Sequence, residues 1–324
     1  MHEIQSERTM PITIVVAMHN EALAVPTLLP SLLAATTDCD QIIIVLDHCT
    51  DNTEAILRSF ASNRVQIIDN IYAQGKKNAQ RLGVSLAQTD LVVTTDADCV
   101  VTPSWLRAID KYQCANQCDM IIMPVRMASD GSLMGDVMEL EFDAIQMATA
   151  GCALMDNASM CNGANMAFRR DVYLEHNQNN NYVSGDDMFL LASVKQNGGK
   201  IGYIKSPDAL VATTVPHGFR QYMKQRTRWF RKSSGYTDEQ VQRVALAMFL
   251  GNISWPLILI YGNFSLALSI FLAKTIAEAI LINAGRKVLY AQLKPLPLLI
   301  LAITYPITII LIVIFSVFRS KRAW

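Results

Sequence analysis

The stretch Ile42–Leu57, IIIVLDHCTDNTEAIL, decides the fold. Ile42 to Leu46 form a short, β-branched, unbroken apolar run, the pattern of a strand buried on both faces. The run stops at Asp47, and a second carboxylate, Asp51, follows before Thr53 opens a helix-length segment. A second stretch, Leu91–Val100 (LVVTTDADCV), repeats the design with Asp96 and Asp98. Apolar strand, acidic turn and helix in succession predict an α/β sheet whose strand ends face a ligand.

Similar runs lie at Ile12–Met18, Val65–Ile68 and Met120–Met123. Helix-length segments separate them at Leu28–Ala35, Thr53–Ser62, Lys77–Ala87 and Pro103–Gln113. The last is read with Thr102 as its cap and Pro103 at its first position. Alternation of this kind from Ile12 to Met123 predicts a largely parallel sheet. Between residues 130 and 240 the pattern loosens into longer helices, a Gly/Asn-rich stretch CNGANMAFRR and further short strands. Residues 1–240 are therefore expected to form an α/β domain, and 241–324 a membrane region.

The 324 residues carry no net charge, and the pI is near 6.9, which argues against a nucleic-acid binder working through bulk charge. Seven cysteines without a Cys-x-x-Cys read as reduced thiols facing a cytosol-like compartment. Cys114 and Cys118 stand one helical turn apart, but no partner pair follows at zinc-site spacing. The N-terminal MHEIQSERTMPITIVV has charges and a proline where a secretory signal needs a long apolar core, so it is read as leading into a first strand.

Apolar content rises beyond Arg243. Val244–Tyr261 and Leu296–Phe318 are uncharged, and Phe264–Asn283 carries only Lys274 and Glu278. A bilayer core takes about 20 apolar residues as a helix, so two to three membrane helices are expected. Lys274 and Glu278 stand at i, i+4 and can pair on one face, either as a buried pair or along an ion or substrate path. Arg286, Lys287 and Lys294 follow the second run, and Arg319, Lys321 and Arg322 follow the third. If the third run spans, the positive-inside rule cannot put both clusters on one side.

Carboxylates gathered at one rim repel each other unless something positive sits among them. A divalent cation such as Mg²⁺ or Mn²⁺, which bridges carboxylates to phosphates, is the natural candidate. In Asp96-Ala97-Asp98 both carboxylates can turn toward one ion. Lys76 and Lys77 after Gly75 suit a helix start facing phosphate, though an ordinary solvated lysine is the better reading for Lys77. FRQYMKQRTRWFRK (219–232) mixes six basic residues with aromatics. It suits a helix on an anionic membrane surface, a helix turned inward to a ligand, or both on opposite faces. The Met-rich segment Met134–Met155 reads as a core helix or as an amphipathic helix beneath a ligand site.

Several stretches occur in a telling order: VVAMHNEA (15–22), VLDHCTDNT (45–53), GKKNAQRLGVSLAQTDLVVTTDADC (75–99), CNGANMAFRRDVY (161–173), SGDDMFL (184–190) and QRTRWF (225–230). The chain resembles an inverting family 2 glycosyltransferase with the Rossmann-like, nucleotide-sugar-binding GT-A fold. More narrowly, it is similar to the membrane-attached branch that holds cellulose, chitin and hyaluronan synthases and ceramide glucosyltransferase. It departs from the pattern at Ala17, Leu46, His48, Cys49, Arg81 and Asp186, and none of these changes removes a metal ligand.

The resemblance implies that Asn20, Glu21, Asp47, Asp51, Lys76, Asp96, Gln225 and Arg228 bind the donor. It puts Mn²⁺ or Mg²⁺ on Asp98 with Asp96, and Gly163, Asn165 and Trp229 at the acceptor. Asp187 becomes the general base with Asp186 beside it; by composition alone the pair reads as a helix cap. The expected protein is a multi-pass membrane enzyme with its catalytic domain facing the cytoplasm. It would transfer sugar from a nucleotide-sugar donor, UDP-linked by expectation, to a lipid, lipid-linked or polysaccharide acceptor. It would work alone, as a homo-oligomer or as a complex subunit. The rival readings are a non-catalytic assembly subunit that keeps the fold, and a transporter.

Overall fold

In the computed structural model, which describes residues 8–60, 63–176, 186–233, 235–236 and 238–318, the apolar runs become strands. In chain order these are β1 (Ile12–Met18), β2 (Gln41–Leu46), β3 (Val65–Asp69), β4 (Leu91–Thr94), β5 (Val100–Val101), β6 (Met120–Ile122), β7 (Val125–Ala128), β8 (Met166–Arg169), β9 (Ile201–Tyr203) and β10 (Val211–Thr214). The helices are α1 (Val25–Ala35), α2 (Thr53–Ser59), α3 (Lys76–Leu86), α4 (Trp105–Asn116), α5 (Leu133–Leu154), α6 (Arg170–His176), α7 (Asp186–Gln196), α8 (Gly218–Ser233), α9 (Glu239–Ile260), α10 (Phe264–Ala284) and α11 (Pro295–Phe318).

Among the described residues seven strands form one sheet in the order β3-β2-β1-β4-β8-β6-β9. β1 pairs parallel with β2 and β4, and β2 pairs parallel with β3. The carboxyl ends of β1 to β4 therefore share one rim, where open α/β sheets bind ligands. β8 is the antiparallel member, set between β4 and β6. Ile42, Ile43, Ile44 and Val45 of β2 are fully buried, as an unbroken apolar run requires. α3 lies unusually close to this sheet because Gly83 has no side chain. A Cβ there would stand 2.5 Å from Val15 Cγ1 and 3.2 Å from Val45 Cγ2.

α4 begins at Trp105, not at Pro103, and the expected cap at Thr102 is corrected accordingly. Residues 102–105 form a turn closed by the Trp105 N–H on the Thr102 carbonyl at 3.0 Å. The Thr102 hydroxyl donates to the Asp208 carbonyl, so it is not available to cap α4.

The described residues divide into two compact units. One joins the chain up to Val125 with Ala153–Thr213, and the other joins Arg126–Cys152 with the chain from Thr214 onward. The first unit contains the seven-stranded sheet. In the second, α9, α10 and α11 are long and apolar enough to cross a membrane. Lys274 and Glu278 pair at 2.9 Å along α10. The Met-rich segment is α5, and it buries Met138, Leu140, Phe142 and Met147. It also buries Glu139, Glu141 and Asp143, which the methionine pattern does not announce.

Candidate active site

The rim is built from strand ends that turn sharply. Asn20 after β1 and His48 after β2 both take left-handed backbone, at φ 56° and 55°. Such strain in residues other than glycine concentrates at functional sites. Asn20 Oδ1 accepts the Thr50 N–H at 2.7 Å and so ties the two turns together. Asp47 is wholly buried, and its carboxylate accepts from Asn70 Nδ2 at 2.6 Å and the Gly75 N–H at 2.9 Å. It braces the turn before α3, where Gly75 sits at φ 152°. Asp51 accepts from the N–H groups of Thr53 (3.0 Å) and Ala22 (3.2 Å), and so holds the start of α2.

Beside these, Lys76 at the first position of α3 forms an ion pair with Asp96 after β4. Asp98 receives the Thr213 hydroxyl at 3.1 Å on one oxygen and the Cys99 thiol at 3.6 Å on the other. Burial, then the neighbouring Asp96, raises the Asp98 pKa. Glu21 is pushed up to about 7 by burial and by the charges of Asp98, Asp96 and Asp51. Carboxylates that resist ionising together are a receptor for positive charge. No cluster of three or more His, Cys, Asp or Glu stands ready to enclose a metal among the described residues. The donor set therefore fits an ion such as Mn²⁺ or Mg²⁺ that takes one or two carboxylates and fills its shell with phosphate oxygens and water.

Asp186 and Asp187 open α7, as the helix-start reading expects; Ser184 and Gly185 of that motif lie outside the described residues. Asp187 accepts the Gly163 N–H at 3.1 Å on one oxygen and the Met188 N–H at 2.9 Å on the other. The Gly163 carbonyl in turn accepts the Thr94 hydroxyl at 3.0 Å, which links this carboxylate to the end of β4. Burial, then Asp187, keeps the neighbouring Cys161 thiol protonated. Asn165 is fully buried: its amide donates to the carbonyls of Pro124 (2.7 Å) and Ala209 (2.8 Å) and accepts from Trp105 Nε1 (3.0 Å). It holds the floor of this segment and has no free polar atom for a ligand.

The first unit thus gathers Asn20, Glu21, Asp51, Lys76, Asp96 and Asp98 at strand ends, with Asp47 beneath them. It contains Gly163 and Asp187 as a second contact pair. Gln225, Arg228 and Trp229 belong to α8 in the second unit, where Arg228 is exposed and Trp229 half-buried. Thr94 and Thr213 escape sequence reasoning, and Asn70, legible as a polar strand end, shows its contact with Asp47 only in the fold. Their partners lie 69, 115 and 23 residues away, and a lone Thr carries no local signal.

A family model described as Glycosyl transferase family 2 matches residues 13–176. The poly-β-1,6-N-acetyl-D-glucosamine synthase of Staphylococcus aureus is 24% identical over 236 residues, which cover 70% of this chain and 55% of that protein. The enzyme of the same name from Staphylococcus epidermidis is 24% identical over 227 residues, covering 67% and 53%. The chain thus spans about half the length of the curated relatives it matches. Among solved structures, the mannosyltransferase PcManGT from Pyrobaculum calidifontis, in complex with GDP-Man and Mn²⁺, superposes with a TM-score of 0.62. It is 16% identical, and the match covers 97% of this chain and 88% of that one. S. aureus TarS in complex with UDP-GlcNAc gives a TM-score of 0.50 at 12% identity, covering 86% and 73%. Both likenesses show the fold.

Proposed function

The chain belongs to glycosyl transferase family 2, and from that premise we propose an inverting sugar transfer from a nucleotide-sugar donor, UDP-linked by preference, to a hydroxyl of a lipid, lipid-linked or polysaccharide acceptor. The observation that carries this reading is the acidic rim, in which Glu21, Asp51, Asp96 and Asp98 are gathered around an α3 N-terminus that supplies Lys76. The rim suits a diphosphate with its cation. A bound Mn²⁺ or Mg²⁺, held by Asp98 with Asp96, would neutralise charge on the departing diphosphate.

Asn20 and Asp51 shape the nucleoside end, and Asp47 acts from below by fixing Gly75 and the turn before Lys76. Lys76 leaves Asp96 for the donor's phosphate oxygens. Asp187 takes the proton of the acceptor hydroxyl as that oxygen bonds to the anomeric carbon. The bond from that carbon to the diphosphate oxygen breaks, and the nucleoside diphosphate departs with the electron pair. Attack on the face opposite the leaving group inverts the centre, so an α-linked donor gives a β-linked product. The Gly163 N–H holds Asp187 in place, and general-base assistance of this kind contributes ~10²–10⁴ in rate. Gln225 and Arg228 serve the diphosphate and Trp229 the acceptor. The α/β region to residue 240 is the catalytic part and the remainder the membrane anchor.

The deciding experiment is nucleoside diphosphate release by the detergent-purified protein across a panel of UDP- and GDP-sugars. It is run with Mn²⁺, with Mg²⁺ and with EDTA, alongside Asp98→Asn. Metal-dependent release from one donor, lost in the variant, supports the reading and names the sugar. Product in the organic phase assigns a lipid acceptor, and polymer retained on a filter assigns a polysaccharide. Silence from a folded protein with every donor and acceptor fraction would favour an assembly subunit.

A further inference from the structure

We infer that Arg226 of α8 and Glu141 of α5 are positioning residues for transfer, acting through Gln225 and Trp229 without touching substrate themselves. The inference rests on the proposed role of those two residues at the donor and the acceptor. The Gln-x-x-Arg-Trp pattern leaves position 226 unspecified, yet Arg226 is the deeply buried charge of that segment, at 4% exposure.

Tyr222, Arg226 and Trp229 follow at i, i+4 and i+7 and so share one face of α8. The guanidinium lies between two rings, 4.9 Å from the Tyr222 centroid and 4.4 Å from that of Trp229. Its Nε and Nη2 donate to Glu141 at 3.1, 3.2 and 2.8 Å. Nη1 remains, and it donates to Gln225 Oε1 at 2.8 Å. That bond sets which way the Gln225 amide points. With Oε1 occupied, the group left to offer is the NH₂, a donor suited to phosphate or hydroxyl oxygens. Trp229 is held between the guanidinium and Phe142, whose ring centroid is 6.2 Å away. The Tyr222 and Tyr305 hydroxyls also come within hydrogen-bonding reach of Glu141, which joins α8 to α11.

A buried ion pair stabilises a fold no better than well-packed apolar side chains of the same size. What Arg226 supplies that a methionine would not is a fixed direction for one amide and one indole. The paired replacement Glu141→Leu/Arg226→Met tests this, because it leaves no unpartnered charge to unfold the protein. Glu141→Gln serves as a second variant. Folding is checked by the elution profile and the melting transition in detergent.

The first readout needs no turnover. Acrylamide quenching of Trp229, taken as the difference between each protein and its Trp229→Phe counterpart, should rise in the paired variant. Unchanged quenching in a folded paired variant overturns the inference. The second readout is kinetic. The paired variant should lose kcat/KM by about tenfold to hundredfold, the scale of a misplaced reacting group, with the donor KM raised because Gln225 serves the diphosphate. A wild-type kcat/KM in that variant overturns the inference too. If the wild-type protein is silent with every donor, the transferase reading fails. The quenching then still decides whether this pair holds Trp229.

Discussion

At the residue scale, the carboxylates divide by what already holds them. Asp187 has one oxygen on the Gly163 N–H and the other on its own helix, so it is oriented but not neutralised. Asp187→Asn keeps one of the two contacts, because only its amide oxygen accepts an N–H, and should retain the fold while reducing transfer by about 10²–10⁴. Donor binding, followed by nucleotide titration with Mn²⁺ present, should stay near wild type. Asp98→Asn should weaken that binding as well, and equal loss in both variants would remove Asp187 from the base role. Glu21 makes a different prediction. Its pKa is raised from 4.5 to about 7 by burial and by the charges of Asp98, Asp96 and Asp51. The folded state therefore holds this proton more tightly than the unfolded chain, and the stability it contributes is lost as pH rises from about 4.5 through 7. Without divalent cation, Glu21→Gln should melt like wild type at pH 4 and at a higher temperature at pH 8. A wild-type melting curve at both values would show that neither burial nor the neighbouring charges hold the Glu21 proton in the fold. Asp47, Asp96 and Asp98 were legible because each closely follows an apolar strand run, whereas Asp187, at the start of α7, stood out only through the resemblance. The division of labour among these acids was not legible. The enclosure of Asp47 by Asn70 and Gly75, and the hydroxyl of Thr213 on Asp98, depend on tertiary neighbours that no spacing encodes.

At the element scale, the site depends on how closely α3 approaches the sheet. Gly83→Ala gains helix propensity of roughly 1 kcal/mol. It also drives a methyl to 2.5 Å from Val15 Cγ1, on a β-branched side chain with little rotamer freedom. Overpacking of this kind costs about 1–3 kcal/mol, so the clash should prevail. The variant should show a lower denaturation midpoint, and its weaker nucleotide binding should follow from displacement of Gly75 and Lys76 at the start of α3. Unchanged stability would mean that the helix can shift without strain. β1, β2, β4 and β6 were readable from apolar runs, since burial on both faces leaves an unbroken pattern. β3, at the sheet edge and partly exposed, was readable from its β-branched residues alone. β8 was not placed in the sheet by sequence, because its antiparallel seat between β4 and β6 is a long-range pairing inside a Gly/Asn-rich stretch. α4 misleads in a simpler way. Thr-Pro is a common helix opening, but here Thr102 and Ser104 both turn to Asp208, and the helix waits until Trp105.

At the scale of the whole molecule, the open matter is which side of a bilayer each segment occupies, and two ion pairs bear on it. Lys294, in the connector between α10 and α11, pairs with Asp136 and with Glu139 (2.9 Å) of α5. These carboxylates precede the first apolar helix, so the connector shares the side of the chain that comes before α9. If α9, α10 and α11 all span, they run out, back and out again, which puts the short turn Tyr261–Asn263 on the far side. Arg286, Lys287 and Lys294 would then lie on the near side, and by the positive-inside rule that arrangement predicts a cytoplasmic near side. Cys39 and Cys114 are exposed in the first unit and can report this arrangement. A membrane-impermeant maleimide should label them in inside-out vesicles and leave them unlabelled in intact cells. A cysteine introduced at Tyr261 should show the reverse. Labelling of Tyr261→Cys and Cys39 from the same side would remove α9 as a span and leave it lying along the interface.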